Sequence, residues 1–242
     1  MSDWATYRLA DFLMFSPRVY FRLVERYNQG LWPLQLIFVA GALAILFATA
    51  TDGRRARAAA MATLALAWLF CAWQFLWLRY STINWAMSYA TAAFMLQAGL
   101  LLVAIRWTQR GALPANSLRR RGGIGLMVFG SLGYPFGPLL AGRAPASAES
   151  FGAMPDPTVA VTLGALVALM PQKLWLLLPI PVLWCVFSAL TLLALEDAGA
   201  WAPFAVILVT FALLLVRRCG KLTPSPLPSS TTRNNRRRRS RE

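Results

Sequence analysis

Apolar residues in this chain are gathered into seven blocks, at 32–50, 58–78, 85–105, 124–140, 158–170, 175–195 and 201–216. That distribution limits the available folds more than any other feature. About 20 consecutive apolar residues cross the hydrocarbon core of a bilayer as a helix, which satisfies every backbone polar group within the segment. The fifth block holds only 13 residues, and a segment that short tilts, re-enters or lies buried. Charged residues make up 14% of the 242 positions and hydrophobic ones 58%, whereas soluble domains carry about 25% charged residues. The expected architecture is all-α. It is an integral membrane bundle of about seven transmembrane helices at 32–216, with an amphipathic segment at 1–31 and a polybasic tail at 217–242.

Basic residues orient such a bundle. If the 51–57 gap is cytoplasmic, the gaps at 106–123 and 171–174 and the tail share its side. Together they hold 18 of the 24 Lys and Arg residues. The opposite side holds six: Arg8, Arg18, Arg22, Arg26, Arg79 and Arg143. An excess of this kind marks the cytoplasmic face. The N-terminus is therefore expected outside and the C-terminus in the cytoplasm. Dropping the short fifth block would move part of the basic set outside, which argues that it crosses.

The two ends read differently. In 1–31, Leu9, Phe12, Leu13, Phe15, Tyr20, Phe21, Leu23 and Val24 alternate with charged residues, and Pro17 divides the segment. Two short helices lying in the membrane interface are expected, with no signal-peptide pattern. The tail is rich in Pro, Ser and Thr and then runs through Arg236, Arg237, Arg238, Arg239 and Arg241. Such a segment has little to bury and is expected to be disordered. Anionic lipid heads are its expected partner, and nucleic acid is disfavoured because no folded binding surface accompanies it.

Much chemistry is excluded. The chain has no histidine, so it holds no His-ligated metal and no Ser-His-Asp triad. Cys71, Cys185 and Cys219 match no metal-binding spacing. Gly-Gly-Ile-Gly at 122–125 lacks the strand and lysine of a phosphate loop and reads as the start of a helix. No cofactor or metal is expected, and the sequence assigns no catalytic residue.

Two groups of residues remain as candidates. Gln35, Gln74, Asn84 and Gln97 are polar groups in or beside the apolar blocks. Such groups hydrogen-bond between helices or line a cavity. The denser pattern is the outer loop at 141–158. Pro155 and Pro157 restrict φ on either side of Asp156, and Gly152 permits a tight turn. Phe151 can fill space under the loop, and Asp156 or Thr158 can cap the fifth helix. Glu149, Glu196 and Asp197 belong to the same side. The loop is expected to be an ordered cap over the end of the bundle, with Asp156 accepting from the first turn of that helix. Whether the acids line a vestibule or only close the bundle stays open.

The order of several stretches resembles a family of uncharacterised bacterial membrane proteins, domain-of-unknown-function family 6064. They are Tyr-Asn-Gln-Gly-Leu-Trp-Pro at 27–33, Tyr-Ser-Thr-Ile-Asn at 80–84, Glu-Ser-Phe-Gly-Ala-Met-Pro-Asp-Pro-Thr at 149–158, Leu-Pro-Ile-Pro-Val-Leu-Trp at 178–184 and Leu-Glu-Asp-Ala-Gly at 195–199. The resemblance implies a location in the bacterial cytoplasmic (inner) membrane and a helical fold, and brings no activity or catalytic residue. The family pattern has Cys where this chain has Asp156, and His near Gln74. Three functions remain: an accessory subunit that binds a protein or lipid partner, a facilitative small-solute transporter, or a membrane enzyme using the outer carboxylates. The first is favoured because the apolar blocks hold so few charged groups.

Overall fold

A computed structural model of the chain describes residues 14–51, 53–108, 117–140, 142–169 and 173–219. The first of the two expected N-terminal helices and the tail from residue 220 lie outside the described residues. Helices α1 (Pro17–Leu31) and α2 (Gln35–Ala50) come first. Helix α3 (Arg54–Phe70) continues as a π-helical segment, Cys71–Trp77, and α4 is Met87–Thr108. Next come α5 (Ser117–Val128), a second π-helical segment at Phe129–Gly133, and α6 (Tyr134–Leu140). The remaining helices are α7 (Pro155–Leu169), α8 (Leu174–Leu177), α9 (Pro179–Ala194) and α10 (Trp201–Cys219). No strand occurs among the described residues.

Each apolar block is helical. By length and composition, four helical stretches can cross a membrane: Arg54–Thr82, Met87–Trp107, Leu118–Leu140 and Ala198–Val216. Helices α1 and α2 reach that length only as a pair, bent by 89°, which would make a fifth. Helices α7 and α9 are apolar but shorter.

Helix α7 is the axis of the molecule. Fourteen of its 15 residues are buried, and it touches α2, α3, α5, α9 and α10. A helix that is apolar on every face belongs inside a protein, and 15 residues reach only about 22 Å. Its small residues let neighbours come close. A Cβ on Gly123 would stand 2.6 Å from the Gly164 carbonyl oxygen, and one on Gly164 would stand 2.5 Å from the Gly123 carbonyl oxygen. Backbone contact between α5 and α7 therefore requires glycine at both positions. Trp68 of α3 donates its indole N–H to Thr162 Oγ1 at 2.8 Å, pinning α7 on another side.

One expected boundary changes. Helix α5 begins at Ser117, so Arg119, Arg120 and Arg121 lie in its first turns and the glycines at 122–125 lie in its interior. Arg120 is held there by donating Nε–H to the Thr49 carbonyl at 3.1 Å, close to the negative end of the α2 dipole. The prolines of the fourth block do not end its helix. Pro135 cannot donate a helical hydrogen bond and its ring crowds the preceding turn. The helix widens to π geometry at Phe129–Gly133 and carries on into α6.

Candidate functional site

The loop before α7 is held by side chains from two other helices. Tyr27 of α1 donates its hydroxyl to the Ala153 carbonyl at 3.0 Å. Asn28 donates Nδ2–H to the carbonyls of Ala146 and Ala148 at 2.8 and 2.7 Å. Cys71 donates its thiol to the Gly152 carbonyl at 3.2 Å. Gly152 adopts φ +78° with Phe38 packed where a side chain would stand. Phe151 is buried beneath the loop. The backbone carbonyls of a buried loop need such donors in the absence of water.

Helix α7 starts at Pro155, three residues before the expected position. Asp156 and Pro157 thus lie in its first turn. Asp156 does not cap α7, in contrast to the expected arrangement. Its carboxylate accepts from Trp184 Nε1 at 2.6 Å and from Ser188 Oγ at 2.5 Å, both on α9. The earlier start turns the side chain outward from the helix end toward its neighbour. Thr158 ties loop to helix, accepting from the Gly152 amide at 2.8 Å and donating to the Met154 carbonyl at 2.7 Å.

Around Asp156 the end of the bundle encloses a cavity of about 250 Å³. Its walls include Phe129, Tyr134, Leu192 and Ala202, and its floor carries Arg143, Glu149 and Asp156. Phe136, Leu140 and Trp201 border it and remain largely exposed. Arg143 sits between partners: its Nε lies 3.3 Å from Asp197 Oδ2, and its guanidinium lies 4.4 Å from the centre of the Phe21 ring. Asp197 also accepts from the Gly199 amide at 2.7 Å. Glu149 is buried. Loss of water and the neighbouring Asp156 carboxylate push its pKa up to about 8, against the opposing pull of Arg143. A second, narrower cavity on the other side of Glu149 and Asp156 reaches Tyr20, Tyr80 and Ser188.

The structure thus brings Glu149 and Asp156 to the cavity floor beside Arg143, and pairs that guanidinium with Asp197. Glu196 is exposed, with φ +53°, and lines neither cavity. The polar residues of the blocks are elsewhere. Gln35 donates to the Asn28 carbonyl at 3.3 Å, and Gln97, fully buried, donates to the Leu177 carbonyl at 3.1 Å. Asn84 accepts from the Ala86 amide at 3.1 Å, while Gln74 is half-buried in the first π-helical segment. Among the described residues, no group of three or more Cys, Asp or Glu side chains is arranged to hold a metal ion.

Trp184 and Ser188 are parts of the site that sequence reasoning did not single out. A signal was present for both. Trp184, Ser188 and Thr191 recur at i, i+4 and i+7 along an otherwise apolar helix, which places them on one face.

No curated protein and no solved structure matches the chain. The model of one family covers residues 17–220, and the chain belongs to that family, the family of unknown function DUF6064.

Proposed function

We propose that the protein is a seven-span bacterial inner-membrane protein, N-terminus outside and C-terminus cytoplasmic, that works as an accessory subunit by holding a lipid-like molecule with a cationic head. The observation that carries this is the acid-rich floor of the cavity. Two carboxyl groups, Glu149 and Asp156, lie at the inner end of an apolar chamber beside Arg143, whose own partner is Asp197; burial disfavours their charged form, and a cationic head group would compensate it. A volume of about 250 Å³ is below the roughly 300–1,000 Å³ of pockets that enclose whole ligands. It suits a head group, with the apolar remainder lying along Phe136, Leu140 and Trp201 at the mouth.

The distribution of basic residues supports the orientation. The cavity then lies at the outer end of the bundle, and the Arg-rich tail faces the anionic lipids of the cytoplasmic leaflet. Binding is favoured over passage because α7 fills the bundle axis with packed side chains.

The test uses the full chain in detergent and three ligands of equal chain length: decylamine, decanol and decanoate. Decylamine is expected to raise the melting temperature most, since a ligand that binds only the folded state stabilises it by mass action. The increment is expected to vanish in Glu149→Gln/Asp156→Asn. Equal stabilisation by decanoate, or an undiminished decylamine effect in the double variant, would overturn the proposal.

A further inference from the structure

A second surface, separate from the Arg143 cavity, lies where α1 crosses the end of the α3 extension. A groove of about 350 Å³ runs between α1 and residues 78–83. Arg22, Arg26 and Arg79 all line it, and all three are exposed. Arg22 and Arg26 are four residues apart, so they stand one above the other on a helix face. Arg79 reaches the groove from the turn after the π-helical segment.

None of the three has an ion-pair partner among the described residues. Glu25, between two of them in sequence, does not line the groove. Like charges at i and i+4 destabilise a helix, and a third guanidinium beside them adds to the repulsion. The placement is more pointed given the topology proposed above. Only six basic residues fall on the outer side, and three of them share this one groove. The floor, in contrast, is apolar: Val19, Leu23 and Ile83 line it beside the arginines.

We propose that this groove binds an anionic phospholipid, its phosphate between the three guanidiniums and the start of an acyl chain along Val19, Leu23 and Ile83. Arginine matches phosphate with paired hydrogen bonds that a point charge cannot make. The apolar floor gives a lipid an advantage that a free anion lacks. On the inner side of α1, Tyr20, Val24, Tyr27 and Asn28 are buried and hold the helix in place, so the site is pre-formed. A filled groove would thereby fix the angle at which α1 lies across the bundle.

Delipidated full chain in a neutral detergent can be titrated with phosphatidylglycerol, phosphatidylcholine and inorganic phosphate, with thermal shift as the readout. Phosphatidylglycerol is expected to stabilise the protein at concentrations where the other two do little. Each arginine removed, as Arg22→Gln, Arg26→Gln or Arg79→Gln, is expected to weaken its binding by about fivefold. Arg18→Gln, on the same helix but outside the groove, should leave binding unchanged, and none of the four exposed substitutions should lower the lipid-free melting temperature. Equal response to phosphatidylcholine, equal response to inorganic phosphate, or equal loss in Arg18→Gln would each overturn the proposal. Arg79→Gln alone, which leaves α1 untouched, decides the matter if the α1 variants fold poorly.

Discussion

Single residues at the loop end of the bundle show how a small change in neighbourhood reassigns a side chain. Glu149 titrates near 8 against an ordinary value of 4.5, chiefly because burial strips water from its charged form. A carboxyl with a raised folded pKa favours the folded state most where both states hold the proton, below the unfolded value, because above it the unfolded chain ionises more readily than the fold. Its contribution is therefore full below about pH 4.5 and is lost as pH rises through about 8. The melting temperature in detergent is expected to fall between those pH values, and Glu149→Gln, which cannot ionise, should flatten that slope. An unchanged slope in the variant would place the titration elsewhere. Asp156 offers a second residue-scale test. Asp156→Ala strands the Trp184 N–H and is expected to cost about 1–3 kcal/mol. Asp156→Asn keeps an acceptor for Trp184 and can donate to Ser188, so most of the loss should be recovered in chemical or thermal denaturation.

At the scale of elements, the fold depends on how closely α7 is approached. Gly164→Ala places a methyl group within 2.5 Å of a backbone oxygen on α5, and such overpacking costs about 1–3 kcal/mol. Gly125→Ala adds the same methyl group where nothing lies within 4 Å, and the helix should gain up to about 1 kcal/mol. Opposite signs for the two substitutions in one denaturation series are the expected outcome; equal signs would mean that helix propensity, not interhelical contact, governs. The loop before α7 is equally an element held from outside. Asn28→Ala leaves two loop carbonyls without their donor, and about 1–3 kcal/mol of stability should go with them. Proteolysis within 144–150 should accelerate in that variant.

At the scale of the molecule, the orientation is open to direct measurement. With Cys219 replaced by Ser, a cysteine introduced at exposed Ala198 should react with an impermeant maleimide in intact cells. One at exposed Gly53 should react only after permeabilisation. The reverse pattern would invert the topology. The seven apolar helices were legible in the sequence because long apolar runs can satisfy their backbones only as helices once water is excluded. The glycine at 152 was legible too, as a turn its φ of +78° demands. Contacts between helices were not. Which residues Asp156 would meet depended on a three-residue shift in the start of α7, and nothing local distinguishes Met154 from Thr158 as the boundary. Burial of α7 on every side could not be read from its length, since a short apolar run suits a tilted span and a buried axis alike. The sequence by itself determined that this chain is helical and how its charges are distributed, because both follow from composition along the chain. Only the tertiary structure decided that Arg143, Glu149 and Asp156 line one chamber and that Asp197 pairs with Arg143, because they come from three segments up to 54 positions apart and meet solely through the packing of α6, α7 and α10.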